Sequence, residues 1–282
     1  MARLLLTGGS GDLGSIIAPK LLADGHEVLN IDLNPSKVEG VKTHKGSITN
    51  KTLVAKAMAG VDVLVHIAAW HGIHEPDLTA YDFHDLNVTG TMTLFEEAAQ
   101  AGCKKVVFIS STSVSKPYSV YGHTKILNEE MARACSHRHS MNVLVLRPRA
   151  FIPPWNTNIY KTYADWANWF VRGAVHIDDV AQATEKGISY VLNTPFTPEV
   201  PCLTVDGAYE YIADDFKNWD AAGKGSTFMK HYGVEAYKLL TAKGIDAAKQ
   251  PKVLDIHETK KLLGYQPHYS LKSLIAEVQA QR

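Results

Sequence analysis

The amino-acid sequence predicts an α/β fold, a doubly wound parallel sheet with a smaller, intertwined C-terminal lobe. Three observations carry this. Five short apolar runs alternate with helical patterns in the first half of the 282 residues, a glycine-rich turn follows the first run, and the texture changes after Pro148.

In chain order, Arg3 to Leu6, Glu27 to Ile31, Val61 to Ile67, Lys105 to Ser110 and Met141 to Arg147 read as strands. Their near-continuous apolar character marks strands buried on both faces, and parallel neighbours need crossovers of helical length. Asp82 to Ala101 supplies one such helix, with Leu86, Met92, Phe95 and Ala99 on or near one face and Gly102 at its end. Beyond Pro148, Pro153-Pro154 and a concentration of tryptophans and tyrosines predict loops and short helices around a pocket. We place the lobe boundary at Ala150, with 1–150 as the sheet domain and 151–282 mainly the second lobe. Ala174 to Leu192 reads as a helix with a start signal at Asp178 and Cys202 to Val205 as a strand, with Pro195 to Pro201 as connector. Residues 174–205 are therefore expected to rejoin the sheet domain.

Apolar residues at 45% and charged residues at 21% describe an ordered globular chain. A formal net charge of zero provides no field for nucleic acid or an anionic membrane. The longest apolar stretch, Val61 to Trp70, is broken by Asp62 and His66 and falls well below the roughly 20 residues that cross a bilayer. Met-Ala-Arg runs straight into Leu4-Leu5-Leu6, leaving no space for a cleavable signal, so the expected compartment is the cytoplasm. Cys103, Cys135 and Cys202 form no Cys-x-x-Cys pair and are expected to be reduced.

The turn Thr7-Gly8-Gly9-Ser10-Gly11-Asp12-Leu13-Gly14 sits between a strand and a helix start, with Gly8, Gly11 and Gly14 three apart. Glycine permits positive φ and close backbone approach, and free amides at a helix N-terminus meet a pyrophosphate. Asp32 ends the second strand, where a carboxylate accepts hydrogen bonds from adenosine ribose hydroxyls in the Rossmann arrangement. Its charge would repel a 2′-phosphate, and no arginine follows in Leu33-Asn34-Pro35, which favours NAD over NADP.

Tyr121-Gly122-His123-Thr124-Lys125 puts a phenol and an ammonium on one helix face. A tyrosine with a pKa of about 10 becomes a base near neutrality only beside a cation, here Lys125 and an oxidised nicotinamide. The preceding strand ends in Ser110-Ser111-Thr112-Ser113, hydroxyls able to hydrogen-bond a reacting oxygen.

Taken together, these motifs resemble the extended short-chain dehydrogenase/reductases, the NAD-dependent epimerase/dehydratase group. Asp62 to Ala69, Asn87-Val88-Thr89-Gly90-Thr91, Arg147-Pro148, His176 to Ala181 and Leu263-Gly264-Tyr265-Gln266-Pro267 extend the match in family order. The resemblance implies Ser111 as catalytic hydroxyl, Tyr121 as acid/base and Lys125 as the residue that also holds the nicotinamide ribose. It implies cofactor contacts from Gly8, Gly11, Asp12, Leu13, Gly14, Asp32, Ser47, Ile48, Ala68, Ala69, Tyr121, Lys125 and Pro148. Asn87 matches a position beside the centre, or else serves as a helix cap. A homodimer through the helices near Asp82 to Ala101 and Tyr121 to Ser136 is implied by the family alone.

Three departures bear on the substrate. Only ten positions separate Ser111 from Tyr121, Ser47 stands where the family usually has an adenine-contacting aspartate, and Arg147-Pro148-Arg149-Ala150 lacks the usual asparagine. A free sugar or small polyol-like substrate gains weight, for a dehydrogenase or an epimerase. A nucleotide-sugar 4-epimerase or dehydratase and a non-catalytic NAD(H) sensor are the alternatives. Candidate substrate residues are His71, His74, Ser111, Arg149, Trp155 and Arg172. His71-Gly72-Ile73-His74 does not match the spacing of a helical metal pair, so no metal is expected.

Overall fold

The computed structural model describes residues 1–280; the last two positions of the expected 151–282 lobe lie outside them. The elements run β1 (Arg3–Thr7), α1 (Asp12–Ala23), β2 (Glu27–Asp32), β3 (Lys42–Lys45), α2 (Lys51–Met58), β4 (Val63–His66), α3 (Ala80–Phe83), α4 (Gly90–Gln100), β5 (Lys105–Ile109), α5 (Val120–His139) and β6 (Asn142–Pro148). They continue with α6 (Tyr163–Phe170), α7 (Ile177–Asn193), β7 (Cys202–Val205), α8 (Ala213–Lys217), α9 (Ser226–Tyr232), α10 (Val234–Ala242), α11 (His257–Leu263) and α12 (Leu271–Ala280).

The seven strands form one sheet in the order β3-β2-β1-β4-β5-β6-β7, every pair parallel. Chain order reverses between β1 and β4, and a crevice opens at the carboxyl ends of strands at such a point. Alternation along each strand divides the core. Leu4, Leu6, Val63, Val65, Val107 and Ile109 pack under α1 and α7, through Ile17, Leu21, Val180 and Ile188. Leu5, Leu64, Val106, Phe108, Val143 and Val145 face α2, α4 and α5, through Val54, Met58, Leu94, Phe95 and Ala132. Burying both faces requires apolar residues at successive positions, which explains why these strands read as continuous runs.

β3 escaped the sequence reading. Lys-Thr-His-Lys is an edge strand with half-exposed and exposed side chains, held by its pairing with β2 rather than by apolar burial. The expected helix from Asp82 to Ala101 is interrupted: a π-helical turn spans His84–Thr89 between α3 and α4. Because the turn rotates the helix, Met92 is 52% exposed and Thr91, Leu94, Phe95 and Ala98 form the inner face.

α7 begins where His176 caps it, its side chain accepting from the Asp178 amide, and lies on the sheet, while β7 adds beside β6. A third apolar cluster, with Trp166, Phe170, Tyr211, Phe228, Leu240 and Leu274, gathers residues after Ile152. The segment Leu263 to Pro267 closes this half onto the sheet. Gly264 turns with φ +61, buried Tyr265 donates to the Asp206 carbonyl at 2.9 Å, and Gln182 bonds both the amide and the carbonyl of Gln266. Among the described residues, no helix is long and apolar enough to cross a membrane.

Candidate functional site

The glycine turn lies at the β1–β4 crevice. Gly8 has φ +69, donates its amide to the Ile31 carbonyl, and sits so close to Ala68 that a Cβ would come within 2.9 Å of the Ala68 Cα. Gly14 is tighter: a Cβ there would lie 2.4 Å from Gly9 backbone atoms. Gly11 caps α1 with no side chain, so the first amides of the helix keep their donors. Asn30, not singled out from the sequence, shapes the turn. Fully buried, it accepts from the Gly9 amide at 2.9 Å and donates to Ser10 Oγ at 3.0 Å. Its one sequence signal is an amide inside the apolar run Glu27 to Ile31.

Asp32 closes β2 with one carboxylate oxygen 3.0 Å from the Ser10 amide and the other 2.9 Å from the Asn34 amide. Ser47 Oγ bonds Thr49 Oγ1 at 2.9 Å, and the buried Ile48 side chain lies against Gly90. Leu13 is buried in the core, which leaves only its backbone to the turn. Ala69 follows β4 and is half-buried, and Pro148 ends β6. The backbone cradle, the bare helix N-terminus and the strand-end carboxylate together fit a dinucleotide with an unphosphorylated ribose.

On the other side of the crevice, Tyr121 and Lys125 occupy the first two turns of α5, both buried. Burial pushes the Tyr121 phenol up to about 12, opposed by the neighbouring Ser111 hydroxyl. Burial lowers Lys125 to about 7, opposed by the charge of Glu129. Lys125 Nζ donates to the Ile109 carbonyl at 2.9 Å and lies 5.7 Å from the centre of the Tyr121 ring.

The two serines at the end of β5 divide their work. Ser110 Oγ donates to Glu129 Oε1 at 2.6 Å, and Glu129 also holds Arg147 through both oxygens. Ser111, in extended conformation, is the serine turned to Tyr121. Glu129 stands four residues beyond Lys125, a spacing legible in the sequence but meaningful only once Arg147 arrives from β6.

A buried chain of hydrogen bonds joins the glycine turn to α5. Thr7 Oγ1 and Thr91 Oγ1 each lie 2.8 Å from a ring nitrogen of His66. Thr91 donates to the Asn87 carbonyl, so His66 carries its proton on Nε2 and accepts from Thr7 at Nδ1. Asn87 then holds the Trp70 amide at 2.7 Å and donates to Thr124, which donates to the Tyr121 carbonyl. Asn87 thus lies within the π-helical turn rather than at a helix start. Burial, then the charge of Lys125, pulls His66 down to about 3, which keeps the ring neutral at physiological pH. His66→Ala would leave Thr7 and Thr91 without their ring partner beside a cavity, and is expected to cost about 2–4 kcal/mol. Thermal unfolding should show a midpoint roughly 5–12 °C lower; an unchanged midpoint would deny the chain a structural role.

His71 and His74 flank this chain. The His71 ring centre is 5.8 Å from that of Tyr121, and burial, Lys125 and His74 together lower His71 to about 3. His74 Nδ1 accepts from the His71 amide at 3.0 Å and its ring meets Trp70 edge-on. Glu75, unmarked in the sequence, accepts from the Tyr121 amide at 2.9 Å and fastens this loop to the start of α5. The other substrate candidates are not gathered here. Arg149 is turned to the buried Asp206 at 3.4 Å and to the Lys252 carbonyl, so its charge is already met. Arg172 is exposed, with its carbonyl bound to the Lys252 amide. Trp155 is 54% exposed and donates to Asp12.

Fold and site define a dinucleotide-binding α/β enzyme with a Tyr-x-x-x-Lys pair at the switch point of its sheet. Residues 4–188 match the NAD dependent epimerase/dehydratase family, and the chain belongs to that family of NAD-dependent enzymes. It is 31% identical to UDP-glucose 4-epimerase 4 of Oryza sativa subsp. japonica over 51% of this chain and 48% of that protein. It is 30% identical to a 3-beta-hydroxysteroid dehydrogenase of Mycolicibacterium neoaurum over 52% of this chain and 47% of that protein. The chain therefore spans about half the length of these two curated relatives. In fold it is similar to UDP-glucose 4-epimerase from Thermotoga maritima, with TM-score 0.71, 18% identity and 99% of each chain covered. The dTDP-glucose 4,6-dehydratase DesIV of Streptomyces venezuelae, solved with NAD, has TM-score 0.71 and 23% identity, covering 98% of this chain and 96% of that one.

Proposed function

We propose that this enzyme oxidises or epimerises a secondary alcohol of a sugar or sugar derivative, with Tyr121 as acid/base. The buried set of Ser111, Tyr121 and Lys125 across the crevice from the glycine turn carries the reading. NAD, when bound, supplies the hydride acceptor for the carbon that bears the reacting hydroxyl. Tyr121 Oη takes the hydroxyl proton, and Ser111 Oγ hydrogen-bonds the substrate oxygen. Burial raises the phenol and the Ser111 hydroxyl opposes that rise, while a charged Lys125 one helical turn away favours the phenolate. His71 and His74 border the substrate, and the neutral His71 ring offers one donor and one acceptor.

In this reading Gly8, Gly11, Gly14 and the backbone of Asp12 and Leu13 take the pyrophosphate, Asp32 the ribose, and Ser47 and Ile48 the adenine. Ala68, Ala69 and Pro148 border the nicotinamide half. Residues 1–150, with 174–205, form the cofactor domain and the remainder mainly the substrate lobe. A homodimer through α4 and α5 follows from the family resemblance, and the cytoplasm is the expected compartment. The short Ser111–Tyr121 interval favours a free sugar or sugar acid; likeness to nucleotide-sugar 4-epimerases and a dehydratase supports a nucleotide sugar as second reading.

The test is incubation with NAD and a panel of sugars, sugar acids and nucleotide sugars, following absorbance of reduced nicotinamide and product stereochemistry. Net reduction identifies a dehydrogenase. Inverted stereochemistry without net reduction identifies an epimerase. Cofactor binding with no turnover across the panel would replace this reading with an NAD(H)-sensing protein.

A further inference from the structure

We infer that Asp12 is a positioning residue that anchors a strap, the loop between β6 and α6, over the pyrophosphate end of the cofactor turn. The inference rests on the cofactor reading above. Asp12 is the first residue of α1, where the partial positive charge of the helix meets a diphosphate. A carboxylate there adds repulsion unless its charge is engaged elsewhere, and among the described residues no salt bridge engages it. Trp155 Nε1 reaches one Asp12 oxygen at 3.3 Å and Asn156 Nδ2 reaches the other at 3.4 Å. Both donors arrive from more than 140 positions away in the chain.

The rest of the loop is restrained independently of this contact. Pro153-Pro154 stiffen its entry, and the Asn156 amide donates to the Pro153 carbonyl. The buried Trp166 indole donates to the Ile152 carbonyl, and Tyr160 is buried against Trp169 with ring centres 5.5 Å apart. The loop is thus firm at both ends, while Trp155 itself is 54% exposed and its indole reaches the turn through the hydrogen bond to Asp12. Such an arrangement shifts between closed and open at small cost. A diphosphate at the helix N-terminus repels the carboxylate toward the two donors, so an occupied turn favours the closed strap. A closed strap in turn slows cofactor escape.

The measurement is the release rate of reduced NAD, by stopped-flow loss of nicotinamide fluorescence on mixing with excess NAD. Asp12→Ala removes both contacts and should speed release about tenfold, the effect of two partly exposed hydrogen bonds. Trp155→Phe, at an exposed position, should give a smaller acceleration, and the double variant should match Asp12→Ala alone. Asp12→Asn keeps one of the two acceptors and should give a release rate between those of the parent and Asp12→Ala. Release by Asp12→Ala at or below the parent rate, or accelerations that multiply in the double variant, would overturn the strap. Failure of the parent protein to bind reduced NAD would overturn the cofactor reading first, a result distinct from either.

Discussion

Tyr121→Phe is expected to lower kcat about 10²–10⁴-fold while leaving the NAD dissociation constant within a few-fold of the parent, because it deletes one oxygen from a packed ring. The ring is 8% exposed and lies beside Gly72 and His71, so phenylalanine fills the same space. What disappears is the atom that exchanges the substrate proton. Its environment also sets a pH dependence. Burial holds the phenol near 12 and Lys125 near 7 in the protein alone. A phenol above the working pH delivers more base as pH rises, so oxidation rates should climb through neutrality toward alkaline pH. Loss of charge on Lys125 over the same range works against this climb. Both trends should vanish with the hydroxyl. Steady-state rates across pH, with NAD binding measured separately, make the check; a variant retaining more than a tenth of parent kcat would remove Tyr121 from the chemistry.

Gly14→Ala should be the most damaging single methyl group in the cofactor turn. Its Cβ would stand 2.4 Å from both the Cα and the carbonyl oxygen of Gly9, backbone atoms that cannot swing aside. Relief requires α1 to move away from the turn, which separates the helix amides from Gly8 and Gly9. The expected result is a loss of at least about 100-fold in NAD affinity, near 3 kcal/mol. Overpacking of about 1–3 kcal/mol accompanies it, lowering the thermal midpoint by several degrees. Gly72 supplies the comparison, since a Cβ there meets Tyr121 at an ordinary 3.6 Å and φ is not in the left-handed region. Gly72→Ala should bind NAD as the parent does. Titration of both variants with NAD decides the matter, and equal affinities would show that helix–turn contact does not govern binding.

Much of the frame is a matter of neighbours along the chain. The strand runs, the three-residue spacing of Gly8, Gly11 and Gly14, Asp32 at the end of β2, and Tyr121 one turn before Lys125 are all legible as periods and short intervals. Each reports local backbone geometry, so a linear reading suffices for it. The same reading misplaced Met92, because a π-helical turn changes the rotation of the helix without changing composition.

The sequence by itself determined the doubly wound sheet, the dinucleotide turn and the Tyr–Lys pair, since these depend on residues within one or two turns of each other. Only the tertiary structure decided that Ser110 serves Glu129 while Ser111 faces Tyr121, and that Arg149 is engaged by Asp206. It alone revealed the path Thr7, His66, Thr91, Asn87, Thr124 and the reach of Trp155 to Asp12. The physical reason is that a buried polar group must find a partner wherever the topology brings one. That partner is set by which strand lies beside which, a relation that spacing along the chain does not encode.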